Sequence, residues 1–340
     1  MRATQSHGRD VCDVGATTAR KAERHADLSV SVVIPTKERP LEMAKVVRTI
    51  LDQTVPALEL IVVDQSLGDL PKRAVEKCFA ESVCRNSGSP VLRFVHDPSI
   101  SGAATARNLA LEMVRGDVVL FLDDDVLLEP DFIAHLLQAY QKHPEAVGVS
   151  GIFTNYRPPP PLIRLWTMIF MRGPFHDDRQ PIYWRAEQLR GTPPVRISRM
   201  TGALMSLRIE SLAGQRFDPN LTGASLAEDA DLTLRLHNSG KILFLDPNAR
   251  LEHHHSPVGR AGDHWLRAHA QSSYYLYQRH WNNGLRNRAY FLWLNAGYAF
   301  IIAVNCVTRA SLTPWRAFRT GMTYAGQLTG GRESAKATLA

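Results

Sequence analysis

A chain of 340 residues, 44% hydrophobic and 21% charged, has enough apolar mass to bury one large core with appendages. No period of about 20 to 50 residues recurs along it, which excludes solenoids and propellers. The formal charge of +7 favours an anionic partner without choosing among nucleic acid, a phosphorylated substrate and an acidic membrane surface.

Residues 1–27 are polar and lack the apolar stretch of a secretory signal, so a disordered tail is expected there. The four cysteines, Cys12, Cys78, Cys84 and Cys306, are too few and too scattered for a disulfide framework and suit a reducing compartment. Order is expected from Leu28. Val30–Ile34 reads as a buried strand that stops at Pro35, and Pro40 opens a helix whose Met43, Val46, Val47, Ile50 and Leu51 share one face. Apolar runs at Leu58–Val63, Val91–Val95 and Val118–Leu122 read as further strands, with helices over about 70–80 and 102–114 between them. Such alternation implies an α/β fold, with a mostly parallel central sheet flanked by helices and ligands bound beyond the carboxyl ends of its strands. A connection rich in Pro and Arg, about 155–198, is longer than an ordinary loop and reads as an insertion over the site. Beyond it a strand is expected over Ile197–Leu207, a helix over about Leu226–Asn238 and a strand over Lys241–Leu245, before an apolar, helical remainder. Within that remainder Ala289–Val307 runs 19 residues without a charge, flanked by Arg286, Arg288 and Arg309, just long enough for a membrane candidate.

Polar residues gather where the strands end. They are Pro35-Thr36-Lys37-Glu38-Arg39, Asp64-Gln65-Ser66, the Ser101-Gly102 turn leading to Arg107-Asn108, and Asp123-Asp124-Asp125. Three adjacent aspartates repel one another unless a cation compensates, and their oxygens suit Mg²⁺ or Mn²⁺; a solvated loop before a helix opened by Pro130 is the plainer alternative. Glu228-Asp229, with Asp231, starts a helix where acids complement the dipole, or else Asp229 is a general base that takes a proton from an acceptor hydroxyl. His253-His254-His255 offers an imidazole to a metal or a phosphate, or is a run of surface histidines. Arg39 and Arg107 present planar forks suited to diphosphate oxygens, and Gly102 at a helix start allows close backbone approach to an anion. No G-x-G-x-x-G follows any strand, so the dinucleotide fingerprint is missing.

In this order the segments resemble the family 2 glycosyltransferases over roughly residues 29–255, and the resemblance implies a GT-A fold with a helical C-terminal extension. Ser31-Val32-Val33-Ile34-Pro35-Thr36 and Ile61-Val62-Val63-Asp64-Gln65-Ser66 look like the family's two nucleotide-binding strands. By that resemblance Pro35, Thr36 and Glu38 line the nucleotide pocket, Asp64 bonds the base, and Ser101-Gly102 through Arg107-Asn108 is the third segment. Phe121-Leu122-Asp123-Asp124-Asp125 fits the Asp-x-Asp signature, whose carboxylates hold the ribose and a divalent metal on the donor diphosphate. Met200-Thr201-Gly202-Ala203 is similar to the segment beside donor sugar and acceptor, so Thr201, Gly202 and Ala203 are expected there. Phe217-Asp218 and Glu228-Asp229-Ala230-Asp231-Leu232 resemble the element that carries the catalytic base, a role that falls to Asp229 with Glu228 beside it. His253 or His255 would join Asp123 and Asp125 at the metal. Lys37-Glu38 and Gln65 depart from the usual pattern, and both lie in the nucleotide pocket, where they put the identity of base and sugar in question.

The implied activity is inverting transfer of a sugar from a nucleoside-diphosphate donor, with Mn²⁺ or Mg²⁺, to a saccharide or lipid-linked acceptor in cell-surface polysaccharide or glycolipid synthesis. The expected organisation is a tail (1–27), a transferase domain (28–257, with halves 28–126 and 127–257) and a helical C-terminal region (258–340). Pro158–Phe175 mixes prolines, Leu, Ile, Trp, Met and Phe with Arg164 and Arg172, which suits a membrane interface, an acceptor lip or plain packing. Asn295, Gly297 and Asn305 weaken a spanning reading of 289–307, so peripheral or monotopic attachment to the cytoplasmic face of the membrane is expected. A sugar nucleotidyltransferase would need a glycine-rich loop after the first strand, and Pro35–Arg39 has no glycine. A non-catalytic nucleotide-sugar-binding protein would have lost the base, and Asp229 in its Glu-Asp context counts against it. Dispersed basic residues disfavour a nucleic-acid module.

Overall fold

The computed structural model describes residues 28–83, 89–221, 227–254, 263–282 and 284–337. The uninterrupted apolar run of Val30–Thr36 (β1) is buried along its whole length, as a strand covered on both faces must be. Pro40–Leu51 (α1) has Pro40 in its first turn, and its Met43, Val46, Val47, Ile50 and Leu51 are buried. Glu59–Asp64 (β2), Leu70–Val83 (α2), Val91–His96 (β3), Ala103–Leu111 (α3) and Val118–Leu122 (β4) continue the alternation. Then come Val126–Leu128 (β5), Phe132–Lys142 (α4) and Ala146–Phe153 (β6). The insertion contains Pro161–Phe170 (α5), a short 3₁₀ turn and Gln180–Tyr183 (α6) before Val195–Ile197 (β7). Leu204–Arg208 (β8), Ile209–Leu212 (α7), Glu228–Asn238 (α8) and Ile242–His253 (β9) complete the sheet domain. The C-terminal region is His264–Leu276 (α9), a five-residue π turn Tyr277–Trp281, Leu285–Thr308 (α10) and Thr313–Ala337 (α11).

The sheet runs β3-β2-β1-β4-β8-β6-β9-β5, with β7 also on β9. Strand order reverses at β1, which lies between β2 and β4, so a crevice opens beyond their carboxyl ends. The parallel expectation holds for β1–β2, β2–β3, β1–β4 and β6–β9; β8 is antiparallel to both β4 and β6, and β5 and β7 are antiparallel to β9. The sheet is therefore mixed.

Two strands differ from their expected form. The strand foreseen over 197–207 is split: β7 pairs with β9, β8 pairs with β4, and 198–203 is a loop between them. The strand foreseen over 241–245 continues to His253. Asp246, Asn248 and Arg250 hid this continuation, because their polarity breaks the apolar run. Asp246 Oδ1 accepts the Asn248 backbone N–H at 2.9 Å, and buried Arg250 reaches Glu129 at 3.2 Å, Glu187 and the Ala186 carbonyl. The register slips between Ser150 and Ile152 opposite this stretch, a bulge that keeps β9 in the sheet.

A large core surrounds the sheet, and a second lies where α8, the insertion and the C-terminal helices meet, around Phe175, Leu234, Tyr275, Trp281 and Tyr298. A Cβ on Gly151 would overlap the Ala249 carbonyl oxygen of β9 and lie 2.9 Å from the Phe132 ring, so the two strands come together there only around a hydrogen. Gly151→Ala is expected to lower stability by about 1–3 kcal/mol, read as an earlier urea midpoint. Gly68→Ala, with nothing within 4 Å of the added carbon, is the control expected to leave the midpoint in place.

Candidate active site

β4 ends at Leu122, and the next three residues form the turn into β5. Asp124 points inward: its carboxylate accepts the Thr36 hydroxyl at 2.8 Å and Arg39 Nη1 at 2.6 Å. Burial pushes its pKa up to about 6, although Arg39 and the Thr36 hydroxyl pull the other way. Arg39 Nη1 is also 3.1 Å from Asp125 Oδ2. The far end of β9 brings His253 against the same turn, with its Nε2 2.9 Å from Asp125 Oδ1. The His254 backbone N–H donates to the Asp125 carbonyl at 2.8 Å. Asn155 fixes the strand end by accepting the His253 N–H at 2.9 Å and donating to its carbonyl at 3.1 Å.

One ligand atom each from Asp123, Asp125 and His253 lie within 4.8 Å of one another. Two carboxylates and an imidazole form a donor set that suits a hard or borderline divalent cation such as Mg²⁺ or Mn²⁺. Of the histidines expected beside Asp123 and Asp125, His253 and His255, the structure brings His253 to them. His255 lies outside the described residues.

At the neighbouring strand ends, Asp64 is completely buried; its Oδ1 accepts the Ser66 N–H at 2.9 Å and its Oδ2 is 3.1 Å from His96 Nδ1. Glu38 adopts the left-handed conformation (φ 55°), a costly one for a residue with a side chain, and is held in it from both sides. Its N–H donates to Ser66 Oγ at 2.6 Å, and its carboxylate accepts the Leu67 N–H at 2.7 Å. Gln65 accepts the Gly102 N–H at 3.0 Å, tying the end of β2 to the start of α3. Gly102 has φ 88°, so the glycine is required by the backbone at that helix start. Pro35 is the penultimate residue of β1, paired in register with Val63.

Arg107, expected to face a diphosphate, is instead enclosed, because α3 aims it into the core. Its Nη2 donates to Asp123 Oδ1 at 3.0 Å and its Nη1 to Glu228 Oε1 at 3.0 Å, over the face of the Phe217 ring. Arg39 likewise faces the carboxylates of Asp124 and Asp125. Gly202 packs on the Arg107 guanidinium, where a Cβ would come within 2.6 Å of Nη2. The Gly202 N–H donates to Asp229 Oδ2 at 2.6 Å, and the Ala230 N–H to Asp229 Oδ1 at 2.6 Å. Thr201 and Ala203 flank that contact, and Thr201 forms an isolated bridge with Leu204. Glu228 is buried beside Asp229; burial and that neighbouring charge push its pKa up to about 7 against the pull of Arg107.

Two contributors carried no sequence signal as functional groups, and two that stood out in the sequence act through contacts the sequence does not show. Asn155 and His96 look like ordinary loop and strand-end residues. Asn108 clasps the Phe217 backbone in both directions at 2.9 Å. Asp231, the third acid of the helix start, is fully buried and holds Arg235 at 3.1 Å, His280 at 3.0 Å and Arg279. Its acidity and Arg235 one turn on were visible, but Arg279 and His280 lie more than 40 positions along the chain.

A reversed strand order, an acidic turn with a histidine beside it and a second acidic pair bridged to that turn by Arg107 belong to an α/β fold of the GT-A class. The profile described as "Glycosyl transferase family 2" matches residues 31–210, more than half of the chain, and the chain belongs to that family. It is 28% identical over 243 residues to the succinoglycan biosynthesis protein ExoM of Rhizobium meliloti, covering 70% of this chain and 71% of that one. It is 34% identical over 127 residues to a glucosyl-dolichyl phosphate glucuronosyltransferase of Haloferax volcanii, covering 36% and 38% respectively. Its fold is similar to that of the mannosyltransferase PcManGT from Pyrobaculum calidifontis, solved with GDP-Man and Mn²⁺, with a TM-score of 0.54 at 17% identity over 92% of this chain and 93% of that one.

Removing Arg107 strands buried Glu228 and takes the partner from half-exposed Asp123. Arg107→Leu is expected to cost about 3–5 kcal/mol, the usual price of breaking a buried pair, seen as a large fall in urea midpoint. Lys72→Ala, at the exposed Lys72–Glu76 pair, is expected to leave the midpoint unchanged.

Proposed function

We propose that this family 2 glycosyltransferase is inverting and metal-dependent, and that it transfers a sugar from a nucleoside-diphosphate donor to the hydroxyl of a saccharide or lipid-linked acceptor. The reading rests on one observation: Arg107 bridges Asp123 to Glu228, so the cluster able to hold a metal and the helix start carrying Asp229 belong to one site. Asp123, Asp125 and His253 would hold the Mn²⁺ or Mg²⁺. When bound, the cation stabilises negative charge developing on the departing diphosphate.

The chain's own groups supply the rest. Pro35, Thr36, Glu38 and Asp64 line the nucleotide crevice, with Gly102 opening α3 beside it. Asp124 anchors Thr36 and Arg39, and the carboxylates of the acidic turn stand beside ribose and diphosphate. Thr201, Gly202 and Ala203 form the wall next to the donor sugar and acceptor. Two backbone N–H groups hold the Asp229 carboxylate in one orientation, which suits a base that must meet an acceptor hydroxyl in line with the leaving group. A single displacement inverts the anomeric centre. Glu228 serves as the buried acceptor that keeps Arg107, and through it Asp123, in place.

The relatives' names support polysaccharide assembly and a lipid-linked acceptor. An enzyme with such an acceptor works at a membrane, and we place this one peripherally on its cytoplasmic face.

Purified protein incubated with a panel of nucleotide sugars is expected to release a nucleoside diphosphate from one donor only when Mn²⁺ or Mg²⁺ is present. Asp125→Ala is expected to abolish that metal-dependent release. Asp229→Asn is expected to slow transfer about 10²–10⁴-fold, the usual share of a general base, with donor affinity unchanged. Loss of donor affinity in Asp229→Asn with turnover retained would reassign that residue to binding.

A further inference from the structure

α5 and α10 lie 115 or more positions apart in sequence, yet they form one platform. Trp166 of α5 donates its indole N–H to the Gly297 carbonyl of α10 at 3.0 Å, and Trp293 of α10 donates to the Ile169 carbonyl of α5 at 2.8 Å. The Phe170 and Trp293 rings lie 5.1 Å apart, and Gly297 is needed because a Cβ there would run into the Phe170 ring. Two indole N–H groups spent on backbone carbonyls fix both the separation and the register of the helices.

The outward side of this platform is apolar. α10 buries Leu294, Gly297, Tyr298 and Ile302, while Leu292, Phe300, Val304 and Val307, on the helical spacing of the other face, are exposed. Leu292 is 69% and Val307 80% exposed, and only 28% of the most apolar stretch of α10 is buried. No residue of α5 is fully buried, and Leu162, at its start, is 79% exposed. A helix apolar on both faces is at home in a core or against hydrocarbon, and the inner face alone meets protein here.

Charge selects the occupant. From His264 to Arg332 the sequence holds no Asp or Glu and eight arginines, of which Arg279 is held by Asp231 and Arg309 by Asp263, while Arg267, Arg286, Arg288, Arg316 and Arg319 are exposed. Across the platform, 155–176 also lacks an acid and holds Arg157, Arg164 and Arg172. A second copy docked face to face would set these cationic rims against each other, whereas an anionic bilayer meets both the apolar face and its rim.

We propose that the exposed faces of α5 and α10 dock as a single unit into the interface of a membrane carrying anionic lipid, with α10 lying in the interface plane. This rests on the transferase reading only for its biological purpose. A spanning α10 would have to abandon Trp166 and also Phe318 of α11, both of which pack on Tyr298, and would expose the second core.

The test is flotation of the full chain with phosphatidylglycerol–phosphatidylcholine vesicles and with pure phosphatidylcholine vesicles, alongside the Leu292→Ser/Phe300→Ser and Arg286→Glu/Arg288→Glu double variants. The expected result is binding to the anionic vesicles, weakened at least tenfold by either variant and by high salt, with release by alkaline carbonate. No binding to anionic vesicles while donor turnover persists would overturn the docking and leave the transferase reading standing. Retention after carbonate would overturn it in favour of a span, and self-association abolished by the same variants would overturn it in favour of a second copy. Vesicle binding without turnover of any donor would uphold the docking and count against the transferase reading.

Discussion

The buried guanidinium of Arg107 is the contact on which the rest of the site depends. It is planar, permanently charged and 2% exposed, and it spends one nitrogen on the acidic turn and another on the start of α8. Its position is over-determined: Phe217 lies beneath it, Gly202 beside it, and Asn108 fixes the Phe217 backbone. A carboxylate taken out of water loses several kcal/mol of hydration, so each acid here is tolerable only with a cation or donors at hand. Arg107 serves acids from two separate strand-and-helix units at once, which is how sequence segments 100 residues apart come to share one crevice.

Arg39 offers a contrast. It also bonds two carboxylates, but its side chain is 31% exposed and it approaches from the rim. A rim arginine can turn to water at small cost, whereas an enclosed one leaves a stranded charge behind. Arg107 is thus a fixed part of the frame, and Arg39 is the cation that would give way to the metal proposed at Asp125.

β1 to β4 were legible to within two residues at either end, because their apolar runs are continuous, whereas β5 and β6 were not foreseen although β6 is buried along its whole length. β9 was only half legible, because half of it is polar and held in the sheet by buried partners such as Glu129 for Arg250. That shortfall mattered for the site, since the hidden half of β9 is what delivers His253 to Asp125. The acidic turn and Asp229 could be picked out from residue type and order. The enclosure of Arg107 could not: a guanidinium suited to phosphate is equally suited to carboxylate, and only the fold shows which is in reach. Asp231 was concealed in the same way by partners on a distant π turn.

That π turn ties the C-terminal helices to the start of α8, where Asp229 stands. Asp231, two residues beyond Asp229 on α8, is buried against Arg279 and His280, and Tyr275 donates to Asp218 at 2.6 Å just before them. A π turn widens the helix and rotates successive side chains, which lets Tyr275, Arg279 and His280 converge on two acids. α10 packs on the same second core as Leu234 of α8. With polar and apolar contacts both spanning the joint, α8 and the docking platform have little freedom to shift independently. A lipid-linked acceptor of the kind proposed would offer its hydroxyl at a height fixed by its own length, and Asp229, as the proposed base, would then have to stand at a fixed height above the membrane. The Asp231 network is the part of the molecule that would hold that height.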